Sequence, residues 1–126
     1  MVTAATHKKG MMLLVEDDRD MRDLLCDAFW SAGYQLREAK DGDEAFLAVL
    51  QSVPDVILTD LRMPAGGVDY ISRLRTMAPR CPIVVMTAFG EPGLQAELLK
   101  AGATAYFDKP VRMSDLMQRV EALLTY

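Results

Sequence analysis

Short apolar runs recur along the chain, and they limit the fold more than any other feature of the sequence. Three of them, "MMLLV" (11–15), "VILT" (56–59) and "IVVMT" (83–87), are apolar or β-branched without a break. A continuous run of this length is typical of a strand buried on both faces of a parallel sheet. Two further segments, "YQLREA" (34–39) and "TAYFD" (104–108), have the pattern of shorter strands. The sequence therefore predicts five strands.

A helical pattern follows each predicted strand. From Arg19 to Ala32, apolar residues recur at helical spacing, and Gly33 stops the pattern. The other four helices are predicted at 41–52 with Asp41 or Asp43 as the cap, at Val68–Met77, at Gly93–Ala101, and from a Ser114 cap to Leu124. This alternation predicts an α/β fold, a doubly wound five-stranded parallel sheet with right-handed crossovers and helices on both faces.

The composition is that of one globular domain, with 126 residues of which 51% are hydrophobic and 25% charged. The formal net charge of -4 argues against direct nucleic-acid binding, because phosphate recognition needs a basic face. No apolar run has the length of a membrane span or of a signal peptide, so we expect a cytoplasmic protein without membrane contact. His7 is the only histidine, and Cys26 and Cys81 lack metal-binding spacing, so a histidine- or cysteine-based metal site is excluded.

Residues that carry chemistry follow several of the predicted strands directly. Glu16 and Asp17 follow the first strand, and Asp60 follows the third. In a doubly wound sheet the working site lies outside the carboxyl ends of the strands, at the switch point. We therefore expect these three carboxylates to converge, with Thr87 and Lys109 at the ends of the last two strands. Taken alone, an aspartate after a strand is as readily a turn or cap residue.

Several carboxylates in one crevice need a proton or a cation. Two unit charges about 4 Å apart repel by roughly 4 kcal/mol at an effective dielectric constant near 20. Oxygen ligands without a nearby histidine or cysteine favour Mg²⁺. The Lys109 ammonium and the Thr87 hydroxyl are suited to hold phosphate oxygens. Together these groups indicate phosphoryl transfer onto a carboxylate, with Asp60 as the nucleophile.

Four segments of the chain resemble one known family. "LLVEDD", "DVILTDLRMP", "IVVMTA" and "GATAYFDKP" resemble, in order and spacing, the receiver domain of two-component response regulators, of the single-domain chemotaxis regulator type. The resemblance covers the chain from about residue 11 to residue 125. It implies a flavodoxin-like three-layer sandwich with strand order 2-1-3-4-5. Residues 1–10 would then form a flexible N-terminal tail, and residues 11–126 the receiver domain.

The resemblance also implies a role for each site residue. Asp60 would be the phosphoacceptor, while Asp17 would bind Mg²⁺ directly and Glu16 through water. The Arg62 backbone carbonyl would be a further metal ligand, and phosphoryl contacts would come from Thr87, the Ala88 backbone and Lys109. Thr87 and Tyr106 would act as the switch residues. Arg62 and Phe89 would tune hydrolysis, and the Lys109-Pro110 peptide would be cis. For Arg62 and Phe89, the alternative that both side chains point to solvent stays open.

The implied function is that of a phosphorylation-activated signalling switch. A sensor histidine kinase or a phosphotransfer protein would supply the phosphoryl group. Phosphorylation would then change the surface of the last strand and the last two helices for an output partner or a second receiver. No enzymatic activity is implied beyond self-phosphorylation from phosphodonors and auto-dephosphorylation.

The sequence departs from the family pattern at the loop after Pro64. "MPAGGVDY" lacks the aspartate expected before the glycine, which fits a loop one residue shorter. Glu16 also replaces the commoner aspartate, which keeps the carboxylate on a longer side chain. The shorter loop favours one alternative, a degenerate receiver that acts as a binding scaffold without phosphorylation. A small-molecule phosphatase is disfavoured, because it would need a second acid at position 62, where this chain has arginine.

Overall fold

The architecture is a five-stranded parallel sheet between two layers of helices. The structure, a computed structural model, describes residues 9–88 and 90–124. The elements are β1 (Gly10–Val15), α1 (Arg19–Ser31), β2 (Tyr34–Ala39), α2 (Gly42–Gln51), β3 (Val56–Asp60), α3 (Val68–Met77), β4 (Ile83–Thr87), α4 (Leu94–Ala101), β5 (Ala105–Asp108) and α5 (Met113–Leu124). The strand order is β2-β1-β3-β4-β5, and every pair is parallel, which confirms the predicted fold class.

Two separate cores flank the sheet, because successive side chains of a strand point to opposite faces. In β1, Met12 and Leu14 pack on one face, whereas Leu13 and Val15 pack on the other. The helices divide between the same two faces. Buried residues of α1 and α5 cover the first face (Leu25, Phe29, Leu116, Val120), and buried residues of α2, α3 and α4 cover the second (Ala45, Val49, Tyr70, Ile71, Leu74, Leu98).

The boundaries of β2, α3 and β4 coincide with the prediction. Asp41 rather than Asp43 caps α2, since its side chain accepts a hydrogen bond from the Glu44 amide at 2.8 Å. The prediction that Ser114 caps the last helix is wrong. The Arg112 carbonyl accepts from the Leu116 amide at 3.1 Å, so Ser114 already lies inside the first turn of α5.

The start of β1 overlaps the predicted N-terminal tail by one residue. β1 begins at Gly10, the last residue of the segment that was expected to be a tail. Residues 1–8 of that segment lie outside the described residues.

Cys26 and Cys81 are free thiols, as predicted, and burial raises their pKa values to about 12 and about 11. None of the helices that the structure describes is long and apolar enough to cross a membrane.

One arginine joins two loops at the amino-terminal edge of the sheet. Nη1 of Arg75, in the last turn of α3, donates to the carbonyls of Ala78, Pro79 and Cys81 at 2.9, 3.1 and 2.8 Å. Nε and Nη2 donate to the Gly102 carbonyl, just after α4, at 3.1 and 2.7 Å. A guanidinium can do this because its donors form a rigid planar fork. Arg75 therefore fixes the end of α3 against the end of α4.

We expect Arg75→Ala to lower the free energy of unfolding by about 2–3 kcal/mol, because it leaves carbonyls in two loops without their charged donor. Urea unfolding followed by circular dichroism measures this change. Arg119→Ala, at an exposed position of α5, is the matched control and should stay within about 0.5 kcal/mol of the parent. Equal effects of the two substitutions would contradict the role given to Arg75.

Candidate functional site

Three carboxylates meet at the carboxyl ends of β1 and β3. These strands are neighbours, and Val15 pairs with Thr59, so the residues that follow lie side by side. Ligand oxygens of Glu16, Asp17 and Asp60 all lie within 4.8 Å of one another, as the sequence predicted. Glu16 is 1% exposed and Asp60 6%, whereas Asp17 is exposed to solvent. The cluster therefore combines two buried carboxylates with one that water reaches.

Lys109 supplies the positive charge that faces the two buried carboxylates. Its Nζ lies 2.8 Å from Oε1 of Glu16 and 3.1 Å from Oδ2 of Asp60. Burial lowers the Lys109 pKa, but the hydrogen bonds to Glu16 and Asp60 outweigh this effect and leave the pKa raised. Burial also raises the pKa of Glu16, and the bond from Lys109 only partly offsets it. Lys109 is therefore stabilised in its charged form, whereas its bond to Glu16 does not fully offset the cost of burying the Glu16 carboxylate.

Backbone amides hold the other oxygen of Asp60. The Leu61 amide donates to Oδ1 at 2.7 Å, and the Arg62 amide approaches the same atom at 3.4 Å. With Lys109 on Oδ2, both oxygens of the carboxylate have donors. The Asp60 side chain is therefore fixed in one orientation at the end of β3.

The loop between β1 and α1 is held by its own polar groups. The Asp18 amide donates to Oε2 of Glu16 at 3.1 Å, and Arg22 donates to the Glu16 carbonyl at 2.8 Å. Asp18 is the N-cap of α1, with its side chain accepting from the Met21 amide at 3.0 Å. These bonds leave Asp17 at the surface, beside the buried pair.

Thr87 completes the site from the end of β4. Its side chain is fully buried, and among the described residues its Oγ1 has no hydrogen-bond partner. A buried hydroxyl without a partner is costly, so such an atom marks a place where a polar ligand is missing. The Lys109 amide donates to the Thr87 carbonyl at 2.8 Å, which ties Lys109 to the end of β4. The Lys109-Pro110 peptide is cis, as predicted.

Tyr106 lies on β5 and is half-buried, with its hydroxyl at the surface. The hydroxyl donates to Oδ1 of Asp108 at 2.6 Å, and this bond raises the pKa of Tyr106 to about 12. A Cβ on Gly90 would lie 2.2 Å from the Tyr106 hydroxyl, so a larger residue at position 90 would have to displace the Tyr106 side chain. The sequence analysis gave no role to Gly90 or Asp108, because the sequence does not show that either residue contacts the Tyr106 hydroxyl.

The loop after Pro64, which the sequence predicts to be one residue shorter than in the family, closes without disturbing Asp60. The Gly67 amide donates to the Leu61 carbonyl at 3.1 Å, and Gly67 has a positive φ of 97°, which suits glycine. Gly42, at the start of α2, packs directly against this loop. Its amide donates to the Pro64 carbonyl at 3.0 Å, and a Cβ there would lie 1.9 Å from the Ala65 carbonyl oxygen. Gly42 is a further position that the sequence analysis missed.

The residues around the entrance to the site are partly described. Nη2 of Arg62 lies 3.8 Å from Oε1 of Glu91, with the Arg62 side chain 47% exposed. Ala88 is exposed, and Phe89 lies outside the described residues. A cavity of about 500 Å³ borders the acceptor strand, and its lining comes from the loops after β3 and β4 and the starts of α3 and α4 (Leu61, Arg62, Met63, Gly66, Gly67, Val68, Glu91, Leu94). A larger cavity, of about 690 Å³, lies at the opposite edge of the sheet, away from the carboxylates.

Comparison with known proteins gives the class of this domain. Residues 12–121 match the family model of the response regulator receiver domain. The chain therefore belongs to the receiver-domain family of two-component response regulators, as its motifs and its carboxylate cluster indicated. Magnesium binding is typical of this family, and the cluster offers only oxygen ligands.

Individual relatives agree with this assignment. The chain is 34% identical over 116 residues to the phosphate regulon transcriptional regulatory protein PhoB of Escherichia coli, covering 90% of this chain and 51% of that protein. It is 30% identical over 114 residues to the sporulation initiation phosphotransferase F of Bacillus subtilis, covering 90% and 92%. A LuxR-family two-component response regulator from Aurantimonas superposes with a TM-score of 0.84 at 26% identity, covering 91% and 84%. This chain thus spans about half of the PhoB protein and nearly all of the Bacillus protein.

We expect Mg²⁺ to stabilise the folded domain, by about 2.7 kcal/mol at a hundredfold excess over its Kd. Asp17→Asn should raise the Mg²⁺ concentration needed for the same stabilisation at least tenfold, because it removes the charge of the water-accessible carboxylate. Thermal unfolding across a Mg²⁺ titration measures both effects. Asp20→Asn, in the first turn of α1, is the control, and equal Mg²⁺ dependence in the two variants would exclude Asp17 as a ligand.

Proposed function

We propose that this domain is a phosphorylation-activated switch in which Asp60 accepts the phosphoryl group. A carboxylate oxygen of Asp60 attacks phosphorus in line, and a P–O bond forms. The P–N bond of a phosphohistidine donor, or the P–O bond of an acyl phosphate, breaks, and the leaving group keeps its electron pair. The transfer needs a carboxylate at the end of a central strand, held in one orientation, and Asp60 meets this description.

The main observation behind this proposal is the buried hydroxyl of Thr87, which has no hydrogen-bond partner among residues 9–88 and 90–124. It lies at the end of β4, next to the acceptor strand. A phosphoryl oxygen on Asp60 would accept a hydrogen bond from this hydroxyl and satisfy it. Lys109, which already touches Oδ2 of Asp60, would bond a second phosphoryl oxygen. The backbone of Ala88, an exposed residue that directly follows β4, would offer the third contact.

The carboxylate cluster fits Mg²⁺, because its ligands are oxygens only and one of them is open to water. Asp17 and Asp60 would hold the ion directly, Glu16 through water, and the Arg62 carbonyl would complete the protein ligands. When bound, the ion neutralises carboxylate charge and draws the phosphoryl oxygens toward Asp60. Arg62 and Phe89 would border the phosphoryl group and set its lifetime by controlling access of water.

The readout of the switch starts at Thr87 and Tyr106. A hydrogen bond to the phosphoryl group would draw Thr87 toward Asp60, and Tyr106 would turn inward behind it. The surface of α4, β5 and α5 would then change for an output partner or a second receiver. Leu99 of α4 is 45% exposed and gives this surface an apolar contact. The switch is thus a local change of charge with a change of packing as its readout.

The proposed donor is a sensor histidine kinase or a phosphotransfer protein, and a donor of this kind would act on the domain in the cytoplasm. The domain would have no enzymatic activity beyond self-phosphorylation and auto-dephosphorylation, and it would contact neither nucleic acid nor membrane. PhoB is a transcriptional regulatory protein that this chain matches over half its length, so an output partner or output domain fits the proposal. The proposed receiver domain begins with β1 at Gly10, one residue before the predicted boundary, and an N-terminal tail would precede it.

A phosphorylation-independent scaffold is the alternative, and the loop after Pro64, which the sequence predicts to be short, is the feature in its favour. The loop leaves the acceptor intact, however, since the amides of Leu61 and Arg62 still point at Oδ1 of Asp60. This geometry supports the acceptor function over the scaffold.

The test is incubation with acetyl phosphate, with and without Mg²⁺, followed at once by intact mass spectrometry. We expect a mass gain of one phosphoryl group that depends on Mg²⁺ and is absent in Asp60→Asn. Asp55→Asn, just before β3, is the control and should be phosphorylated. A parent protein without mass gain under any condition would reject the acceptor function and favour the scaffold.

A further inference from the structure

Two buried hydroxyl groups lie close to the backbone of Asp60, one on the acceptor strand and one on α3. Thr59, on β3, is fully buried, and Tyr70, on α3, is 2% exposed. Their hydroxyl oxygens are 2.8 Å apart, and Oγ1 of Thr59 also lies 2.7 Å from the backbone carbonyl oxygen of Asp60. A hydroxyl has one proton, and the carbonyl can only accept, so Thr59 donates to Asp60 and Tyr70 donates to Thr59.

The carbonyl of Asp60 belongs to the same peptide group as the amide of Leu61. A peptide group is planar, so fixing its carbonyl also fixes the direction of its N–H. That N–H donates to Oδ1 of Asp60 at 2.7 Å. An unbroken line of donors therefore runs from Tyr70 through Thr59 and one peptide plane to the acceptor carboxylate. Hydrogen bonds aligned in this way polarise one another.

The two hydroxyls lie in a part of the core where the neighbouring strand residues are apolar. The other residues of β3 before Asp60 are Val56, Ile57 and Leu58, which are apolar and fully buried. A Thr–Tyr pair at this depth is costly unless both hydroxyls are bonded, and an apolar pair would fill the same space. The Tyr70 ring is also braced, since Phe46 of α2 packs on it with ring centroids 5.5 Å apart.

We propose that Tyr70 and Thr59 are positioning residues for the acceptor, because their hydroxyl chain orients the Asp60–Leu61 peptide so that its N–H holds one carboxylate oxygen for attack. The inference rests on the proposed phosphoryl acceptance by Asp60. It adds a buried polar network on α3 and β3 to the groups that touch the reacting atoms.

The test compares Tyr70→Phe, Thr59→Val and Thr59→Ser with Tyr34→Phe as the matched control. Tyr34 is also 2% exposed and packs against a phenylalanine, Phe29, with centroids 5.6 Å apart, but on the other face of the sheet. Phosphorylation by acetyl phosphate at saturating Mg²⁺ gives the maximal rate and the half-saturating donor concentration. The proton chemical shift of the Leu61 amide, read from ¹⁵N-edited spectra without any donor, reports the hydrogen bond to Asp60 directly.

We expect Thr59→Val to lower the maximal rate about fivefold to tenfold and Tyr70→Phe about twofold to fivefold, in line with the loss of one buried hydrogen bond. The half-saturating donor concentration should stay unchanged, because neither hydroxyl contacts the donor. The Leu61 amide proton should move upfield in both variants. Thr59→Ser keeps the hydroxyl, so its maximal rate and its Leu61 shift should equal those of the parent protein. Tyr34→Phe should also match the parent protein.

Two results would overturn the positioning role. One is a rate and a Leu61 shift in Tyr70→Phe and Thr59→Val that equal those of Tyr34→Phe. The other is a loss in Thr59→Ser as large as that in Thr59→Val, which would assign the effect to packing. A parent protein that takes up no phosphoryl group would instead reject the proposed function, and the Leu61 shift alone would then decide whether the hydroxyl chain orients the peptide.

Discussion

The contact of Lys109 with Glu16 and Asp60 is the interaction on which the site depends. The sheet topology brings two buried carboxylates together, and their repulsion opposes folding unless a positive charge faces them. Lys109 provides that charge at 2.8 and 3.1 Å from the two side chains. Its own position is fixed by the bond from its amide to Thr87, so the cation is placed by the backbone of β4 and β5.

The remaining features of the site follow from keeping an aspartate ready at the end of a central strand. The amide of Leu61 and the ammonium of Lys109 fix the Asp60 carboxylate, and Thr87 leaves a buried hydroxyl beside it. The Thr59 hydroxyl bonds the carbonyl of the Asp60–Leu61 peptide, and the Tyr70 hydroxyl bonds Thr59. A rigid acceptor next to one hydroxyl that has no partner among the described residues suits a site that binds a phosphoryl group only transiently.

The sheet and the acidic cluster could be predicted from the sequence because both depend on simple patterns. Uninterrupted apolar runs identified the buried strands, and parallel strands bring the residues that follow them to one edge. Contacts between distant elements could not be predicted in this way. Gly42 is needed because the Ala65 backbone approaches it closely, Gly90 lies against the Tyr106 hydroxyl, and the Tyr70–Thr59 bond joins a helix to a strand. No local signal in the sequence reveals which distant atom a side chain meets.

The most direct test of the account is the stability of Lys109→Met with and without saturating Mg²⁺, measured by urea unfolding. Without Mg²⁺ the variant should lose about 2–4 kcal/mol, because two buried carboxylates are left without their cation. Mg²⁺ should then stabilise the variant more than the parent, while Lys100→Met, at an exposed position of α4, should behave like the parent. Equal stabilisation of Lys109→Met and parent by Mg²⁺, or no loss of stability without it, would contradict the central role of this charge.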